Sequence, residues 1–313
     1  MSLAKPELSI LVVSYNTRQI TLECLDSLYR HPPSVPYEVI VVDNASKDGS
    51  AEAIAAAFPQ ATLVASAENL GFGGGNNLAA RSAKGRRLLL LNPDTIVFER
   101  TFDAVWDYAE REPFRGIWGG RTLHKDGSLN PPSCWREISL WGLFTTSSGL
   151  QHLFPSNPLV SWEDYGGWQR DREREVDIVA GCFLLIDTPL WEQLGGFDSR
   201  FFMYAEESDL CMRAKRLGAR PGITPDAALV HLGGASTSSR TNALMNVQRA
   251  RLTLMRKHWS PLRFALGRAL IAYWAWSRKH LSRFKSGRFD GEGNSQEKWA
   301  MIWNKRSEWL NGY

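Results

Sequence analysis

Short apolar runs alternate with stretches of helical periodicity along the first hundred residues. Residues 8–14 and 38–43 are rich in β-branched and apolar side chains, as expected of strands buried in a sheet. Between these runs, Leu22, Leu25 and Leu28 recur at helical spacing. In this region strands are predicted at residues 8–14, 38–43, 61–65 and 87–91, and helices at residues 21–30, 50–58 and 75–84. The alternation predicts an α/β fold with a mostly parallel central sheet and helices on both faces.

The pattern weakens after this region and returns towards the end of the chain. Residues 98–175 mix Gly, Pro, Trp and charged residues without clean periodicity, so we expect few regular elements and mainly loops there. Later elements are predicted as a strand at residues 176–186 and helices at residues 207–217, 246–258 and 262–283. The chain therefore predicts an α/β body over residues 1–235 and a helical extension over residues 236–313.

Charge changes sign at the same boundary. Residues 236–313 contain 15 Lys and Arg but only 4 Asp and Glu, a net charge of +11, whereas the whole chain carries +4. The preceding residues 1–235 are therefore acidic, at −7. Basic helices are attracted to anionic membrane surfaces, so we expect such a surface, and not nucleic acid, as a partner of the extension. A solvated helical face is the alternative interpretation.

Composition limits the class of protein. Hydrophobic residues at 43% and charged residues at 22% are typical of folded soluble domains. The four cysteines contain no Cys-X-X-Cys pair, which argues against a zinc ribbon or a disulfide framework. The apolar stretch at residues 264–277 is interrupted by Arg268 and is shorter than the roughly 20 residues of a membrane-spanning helix. We expect a cytoplasmic protein with neither an export signal nor a spanning helix.

Polar clusters lie at the carboxyl ends of three of the predicted strands. They are Ser14-Tyr15-Asn16, Asp43-Asn44 and Asn92-Pro93-Asp94. Ligands of open α/β sheets bind beyond the carboxyl ends of the strands, so these clusters predict one shared binding site. A carboxylate such as Asp94 supplies the oxygen ligands that hard divalent cations prefer, although a Pro-containing turn is the alternative role.

Two further motifs stand out. Residues 68–77 are dense in glycine and lead into a helix, so their backbone N–H groups suit a phosphate or ribose, but the Lys-Ser/Thr pair of a P-loop is missing. Residues 201–210 place three carboxylates beside aromatic residues, where an unpaired charge is costly unless it has a task. Acidic residues in the first turn of a helix are the simpler explanation of this second motif.

In their order along the chain, these motifs resemble the nucleotide-sugar site of family 2 glycosyltransferases, and within that family the bacterial rhamnosyltransferase-like branch. The resemblance covers about residues 8–235. It implies a GT-A-like, Rossmann-type catalytic domain, with a nucleotide-sugar-binding half at residues 1–97 and an acceptor-binding half at residues 98–235. By this resemblance the donor contacts are Ser14, Tyr15, Asn16, Asp43, Asn44, Gly71, Asn77, Asn92 and Asp94.

The resemblance also implies which residue acts as the base. The family's Glu-Asp-X-Asp pattern matches residues 206–209, and its second residue, usually the general base, is Glu207 here. Glu replaces the usual Asp at this position, which changes the reach of the carboxylate. Gly181, Glu206 and Asp209 are the implied acceptor contacts.

A divalent cation, Mg²⁺ or Mn²⁺, is the implied cofactor. Asp94 is the implied ligand, and His231, after the strand-like run Ala228-Leu229-Val230, is expected to complete the metal shell. Asn92 stands where most relatives have the first Asp of an Asp-X-Asp triplet, which lowers the charge of the ligand set. A structural histidine is the alternative for His231.

The implied reaction is an inverting transfer. Glu207 deprotonates an acceptor hydroxyl, which attacks the anomeric carbon of the sugar while the diphosphate leaves. The branch favours dTDP-L-rhamnose as donor, with a UDP-sugar as the alternative, and a saccharide or lipid-linked saccharide as acceptor in cell-surface polysaccharide synthesis. Such an enzyme is expected in the cytoplasm, peripheral on the inner face of the cell membrane. The competing hypotheses are a binding module without turnover and a sugar nucleotidyltransferase, although residues 14–17 lack the basic triphosphate loop of the latter.

Overall fold

The structure is a computed structural model that describes residues 5–233, 239–282 and 295–313. The chain divides into two compact units. The first, here called the sheet unit, comprises Met1–Trp135, Gln169–Phe202 and Glu206–Ser236. The second, the helical unit, comprises Arg136–Trp168, Met203–Ala205 and Thr237–Tyr313. The assignment of donor and acceptor binding to residues 1–97 and 98–235 stays a prediction.

The regular elements are as follows. The strands are β1 (Leu8–Ser14), β2 (Tyr37–Asp43), β3 (Thr62–Ala65), β4 (Arg87–Leu91), β5 (Thr95–Val97), β6 (Ile117–Leu123), β7 (Cys134–Trp135), β8 (Arg174–Glu175), β9 (Ile178–Val179), β10 (Phe183–Asp187) and β11 (Gly222–His231). The helices are α1 (Arg18–Arg30), α2 (Ser50–Ala57), α3 (Gly71–Ala80), α4 (Thr101–Arg111), α5 (Leu140–Ser148), α6 (Leu150–Leu153), α7 (Thr188–Leu194), α8 (Glu206–Arg216), α9 (Arg240–His258), α10 (Pro261–Leu281), α11 (Ser295–Asn304) and α12 (Arg306–Trp309).

The central sheet confirms the predicted α/β class. Its strand order is β3-β2-β1-β4-β10-β6-β11-β5, with β8 added against β11. Strands β3, β2, β1 and β4 are parallel, and so are β6 and β11. Strand β10 runs antiparallel between β4 and β6, which joins the two parallel parts into one sheet. The GT-A-like architecture expected from the motifs is present.

Strand β1 lies at the centre of the parallel part and is buried along its whole length. The apolar face of α1, with Leu25 and Leu28 fully buried, belongs to the same core. The register pairs Ser14 of β1 with Asp43 of β2, so the carboxyl ends of these two strands are level. The loops that follow both strands therefore leave the sheet side by side.

Helix α3 differs from the prediction, which placed a helix at residues 75–84. It begins at Gly71 and includes the glycine-dense segment that sequence propensity disfavours. Packing explains the difference, because this helix lies close against its neighbours. A Cβ atom on Gly75 would lie 2.6 Å from Cγ1 of Val13, and one on Gly73 would lie 3.2 Å from Cβ of Phe197.

The prediction of a single strand at residues 176–186 is also wrong. The chain forms β9, turns, and then forms β10, with the Phe183 N–H donating to the Ala180 carbonyl across the turn. A mostly apolar run does not reveal such an interruption, because its periodicity is the same whether it forms one buried strand or two.

The region 98–175 contains more regular structure than expected. Its mixture of aromatic and charged residues conceals an amphipathic helix, α4, that buries Phe102, Val105 and Trp106, and a buried strand, β6. A separate difference concerns the helix predicted at residues 246–258. Helix α9 begins at Arg240, six residues before that predicted start.

The helical unit is built around α10, whose buried positions include Gly267, Ile271 and Ala275. Helices α5 and α9 both pack against α10. A Cβ atom on Gly267 would lie 2.4 Å from Cε of Met255 and 2.6 Å from Cζ3 of Trp259, so glycine at this position allows α9 and α10 to approach closely. Among the helices of the described residues, none has the length and apolarity needed to cross a membrane.

Candidate functional site

The first part of the candidate site, the donor end, lies beyond the level carboxyl ends of β1 and β2 and comprises Ser14, Asn16, Asp43, Asn44 and Gly71. Asp43 is buried, and its Oδ2 accepts a hydrogen bond of 3.0 Å from the Ser46 N–H. Its Oδ1 has no hydrogen-bond partner among the described residues. Buried carboxylate oxygens seldom stay unpaired, so this oxygen is suited to accept a hydrogen bond from a ligand.

Asn44 fixes the glycine-rich loop to the tip of β2. Its Nδ2 donates to Oδ1 of Asn69 at 2.9 Å and to the Gly71 carbonyl at 3.1 Å. Its Oδ1 accepts the Leu70 N–H at 2.9 Å. Both ends of one buried amide therefore serve to hold the backbone of this loop.

Gly71 is required where it stands. Its φ is +72°, and a Cβ atom would lie 1.9 Å from the Phe202 carbonyl oxygen. That same oxygen accepts the Phe72 N–H at 3.1 Å. The first turn of α3 is thus tied to the segment that precedes the acidic motif.

The segment after β1 is braced by side-chain contacts. Ser14 is buried, with its Oγ 3.0 Å from Oγ1 of Thr21, and Tyr15 is half-buried. Asn16 has a φ of +51°, and its Oδ1 accepts the Lys47 N–H at 2.7 Å. The loops after β1 and β2 are therefore joined directly, as the strand-end clusters predict.

The candidate metal centre brings together Asn92, Asp94 and His231. Nε2 of His231 lies 3.3 Å from Oδ1 of Asp94 and 3.4 Å from Nδ2 of Asn92. The pairing of β11 with β5 carries His231 to this position, opposite Thr95. Asn92 also has a buried Oδ1 without a hydrogen-bond partner among the described residues.

These three residues fit a divalent cation. A carboxylate oxygen, an unpaired amide oxygen and an imidazole nitrogen are suitable ligands for Mg²⁺ or Mn²⁺. Within residues 5–233, 239–282 and 295–313, no three His, Cys, Asp or Glu side chains come together as a metal site. A cation here would therefore complete its coordination with donor phosphate or water.

Protonation competes with a cation for His231. Burial lowers the pKa of the imidazole, but neighbouring Cys182 and the Asp94 carboxylate raise it, and the net effect is an increase. Imidazole binds a metal only in its neutral form, so a cation would replace the ring proton. Without a cation, the imidazolium pairs with Asp94.

The second part of the site, the base end, comprises Phe72, Gly181 and Glu207. Glu207 lies in the first turn of α8, and its Oε2 is buried without a hydrogen-bond partner among the described residues. Burial raises the pKa of Glu207 to about 7, although the backbone N–H groups of Glu207, Ser208 and Gly181 act in the opposite direction. A carboxylate with a pKa near neutrality is suited to general-base work.

Gly181 lies between the other two residues of the base end. A Cβ atom on Gly181 would be 3.0 Å from the Phe72 ring and 3.7 Å from Cβ of Glu207. A larger residue there would displace the ring or the acid. The Phe72 ring supplies an apolar wall on this side, in keeping with the desolvation of Glu207.

Asp209 and Asn77 hold a turn in place. Asp209 is fully buried, with Oδ2 2.7 Å from Nε of Arg213, and the Arg213 guanidinium donates to the carbonyls of Leu194 and Gly196. From α3, the Asn77 amide donates to the Phe197 carbonyl and accepts its N–H, both at 2.9 Å. Arg213, which Asp209 holds in place, and Asn77 therefore bind the same turn, while Glu206 lies buried beside Glu207.

Sequence reasoning missed several residues of the site. Arg213 was detectable, because an acid and an arginine four residues apart on a helix commonly pair. Asp48, by contrast, is predicted from the sequence to form a turn before a helix, and it accepts the Arg18 N–H at 2.9 Å and the Ser50 N–H at 3.1 Å. The roles of Phe72 and Cys182 have no local signal, since their neighbours are distant in the sequence.

The parallel strands with polar carboxyl ends place the sheet unit in the GT-A class of α/β folds. The chain belongs to glycosyl transferase family 2, whose family model matches residues 9–175.

Relatives with known names support this assignment. The N-acetylglucosaminyl-diphospho-decaprenol L-rhamnosyltransferase of Mycobacterium tuberculosis is 29% identical over 217 residues, which cover 64% of this chain and 68% of that protein. The rhamnosyltransferase WbbL of Escherichia coli is 28% identical over 173 residues, 51% of this chain and 60% of that protein.

Solved structures share the fold. The mannosyltransferase PcManGT of Pyrobaculum calidifontis, in complex with GDP-Man and Mn²⁺, aligns with a TM-score of 0.55 at 19% identity, over 97% of this chain and 76% of that one. TarS 1-349 of S. aureus, in complex with UDP-GlcNAc, gives a TM-score of 0.52 at 17% identity, over 95% and 79%. At these identities the likeness concerns the fold alone.

Proposed function

We propose that this protein is an inverting, cation-dependent glycosyltransferase that transfers L-rhamnose from dTDP-L-rhamnose to a lipid-linked saccharide during cell-surface polysaccharide synthesis. The observation that carries the inverting mechanism is the buried Glu207 carboxylate, whose pKa is raised to about 7 at the start of α8. The named rhamnosyltransferase relatives support the sugar. The name of the mycobacterial relative includes a lipid diphosphate, which supports the acceptor class.

Glu207 is the proposed base. Its carboxylate takes the proton of the acceptor hydroxyl as the hydroxyl oxygen forms a bond to the anomeric carbon of the sugar. The bond from that carbon to the donor phosphate oxygen breaks, and its electron pair leaves with the diphosphate. A single displacement of this kind inverts the anomeric configuration, and the proton then passes from Glu207 to solvent.

At the donor end, the unpaired Oδ1 of Asp43 would accept a hydrogen bond from the nucleobase. The braced segment from Ser14 to Asn16 and the loop at Gly71 would line the nucleoside. Asp94, His231 and Asn92 would hold the cation. When bound, it offsets the negative charge of the diphosphate.

A direct assay tests the proposal. Purified protein is incubated with dTDP-L-rhamnose, Mn²⁺ and a lipid-linked saccharide, and release of dTDP is followed together with the anomeric configuration of the product. We expect dTDP release with inversion, which Asp94→Asn and excess chelator both abolish. Binding of dTDP-L-rhamnose without dTDP release would instead support a binding module.

The choice of donor is tested separately. A panel that includes dTDP-L-rhamnose, UDP-glucose and UDP-N-acetylglucosamine compares kcat/KM among donors. We expect the rhamnose donor to be preferred. Preference for a UDP-sugar would contradict the proposed donor while leaving the transfer reaction intact. For a lipid-linked acceptor, the enzyme would work in the cytoplasm at the inner face of the cell membrane.

A further inference from the structure

Helices α5 and α10 form an apolar groove in the helical unit. Trp141 and Phe144 of α5 line it together with Leu266, Leu270 and Tyr273 of α10. The side chains of four of these five residues are well exposed, at 43–50% of their full accessible area, and Leu270 is the less exposed fifth. Soluble proteins rarely expose large contiguous apolar patches, and those that they do expose commonly mark interaction sites.

The groove is distinct from the face that α10 uses for packing. Gly267, Ile271 and Ala275 are buried inside the unit. Leu262, Leu266, Tyr273 and Trp276 recur at helical spacing on another face, and each is 44–73% exposed. Helix α10 therefore has two apolar faces, of which one completes the core of the unit and the other faces outward.

Helices α9 and α10 carry charge of one sign, and Glu163, which lies beside Gly142 of α5, is paired with Arg251 of α9. Residues 240–282, which comprise α9 and α10, contain nine Lys and Arg and no Asp or Glu. Helix α5 has no charged residue at all. Arg263 is exposed next to Leu262, with its guanidinium 4.2 Å from the centre of the Trp259 ring. The surroundings thus complement an anionic partner.

We propose that the α5–α10 face docks on the surface of an anionic lipid bilayer. Apolar side chains would enter the boundary between headgroups and acyl chains, while the arginines and lysines of α9 and α10 would contact lipid phosphates. Trp141, Tyr273 and Trp276 have the amphipathic rings that are enriched at this depth. The proposal rests on the proposed function in one respect, since a lipid-linked acceptor gives such docking its purpose.

Vesicle flotation with the full-length protein tests the docking. Vesicles of phosphatidylcholine with phosphatidylglycerol are compared with vesicles of phosphatidylcholine alone. We expect binding to the anionic vesicles that weakens as salt is raised. The variant Leu266→Glu/Tyr273→Glu should reduce the partition coefficient at least about tenfold, because it removes two apolar contacts and adds two negative charges.

Leu217→Glu is the matched control. Leu217 lies in the sheet unit and is 51% exposed, so the change adds a negative charge on a comparable surface outside the groove. We expect this control to float like the unaltered protein, and circular dichroism should show all variants folded. Equal flotation of the double variant would overturn the proposal, and so would the absence of binding by the unaltered protein.

A second copy of the chain is the competing occupant of the groove. Light scattering after gel filtration would reveal it as a concentration-dependent dimer that the double variant abolishes, and this result would also overturn the proposal. A failure of the transfer reaction is distinguishable from both. Flotation without dTDP release would contradict the proposed function alone, whereas dTDP release with a water-soluble acceptor but no flotation would contradict the docking alone.

Discussion

The donor end and the base end each hold a buried carboxylate oxygen without a partner among the described residues, on Asp43 and on Glu207, but the side chains around the two oxygens are held differently. At the donor end, the Asn44 amide is bonded at both its nitrogen and its oxygen, and Asn16 is bonded through its backbone and its side chain. At the base end, the Glu207 carboxylate has a buried oxygen without a partner among the described residues. The Asn44 and Asn16 side chains are thus fixed by hydrogen bonds, whereas burial keeps the Glu207 carboxylate in an unfavourable environment.

Burial of Glu207 changes both the pKa of its carboxyl group and the pH dependence of folding stability. Burial raises the pKa of Glu207 from 4.5 to about 7. The folded state therefore holds the proton more tightly than the unfolded state, so the favourable contribution is present below about pH 4.5 and is lost as the pH rises through 7. Above pH 7, ionised Glu207 costs at most about 3 kcal/mol of folding free energy.

The largest expected effect comes from Glu207→Gln. This change keeps the size of the side chain and removes its basicity, so kcat should fall by about 10²–10⁴-fold while donor affinity persists. Because the amide cannot ionise, the variant should also unfold at a higher temperature than the unaltered protein above pH 7. The measurements are steady-state kinetics and thermal unfolding.

Glu192→Gln is the control for this change, because Glu192 lies on α7 and is exposed. It should leave both kcat and the unfolding temperature nearly unchanged. Full activity of Glu207→Gln would show that the base is a different residue. A lower unfolding temperature above pH 7 would show that Glu207 is a stabilising group.

Gly71→Ala should have the next largest effect. The left-handed φ costs about 1–2 kcal/mol for a residue with a Cβ atom. The clash with the Phe202 carbonyl, at 1.9 Å, adds about 1–3 kcal/mol more. We expect a matching loss in the free energy of unfolding in urea, together with weaker nucleotide binding.

Gly195→Ala separates these two causes. Gly195 has a φ of +70°, but no atom lies within 4 Å of the position its Cβ would take. This variant should lose only the backbone contribution. If both variants were destabilised equally, the contact between the glycine-rich loop and Phe202 would not matter for stability.

Asn44→Ala should have a smaller effect on the same end of the site. Loss of the three hydrogen bonds at the glycine-rich loop should cost about 1–3 kcal/mol of folding free energy and raise the KM for the donor. Asn44→Asp retains the acceptor for the Leu70 N–H but sets a carboxylate oxygen against Oδ1 of Asn69 and the Gly71 carbonyl, so its KM should rise at least as much as that of Asn44→Ala. A KM unchanged in both variants would show that Asn44 does not organise the donor end.

The proximity of the donor-end residues follows from the sequence more directly than that of Phe72, Gly181 and Glu207, and the reason is geometric. Adjacent parallel strands end at one edge of a sheet, so the polar residues after β1, β2 and β4 had to lie near one another. The environment of Glu207 depends on Phe72 and Gly181, which belong to distant elements whose approach no local pattern records. The turn inside residues 176–186 was missed for the same reason.

The smallest expected effect is a change in the pH at which kcat/KM begins to fall. It tests the comparison between the donor end and the base end most directly. A base with its pKa near 7 must be ionised to act, so kcat/KM should fall about tenfold per pH unit below that value, whereas an exposed Glu would give this acid limb near 4.5. Asn44→Ala should raise the KM for the donor and leave the acid limb in place, since Asn44 belongs to the donor end. Glu207→Gln should remove the limb from the residual activity, because its amide does not titrate. An acid limb that persists in Glu207→Gln would mean that the ionising group is not Glu207, with His231 of the metal centre as the next candidate. An acid limb that moves in Asn44→Ala would mean that the donor end controls the ionisation, and the separation between the two ends would then fail.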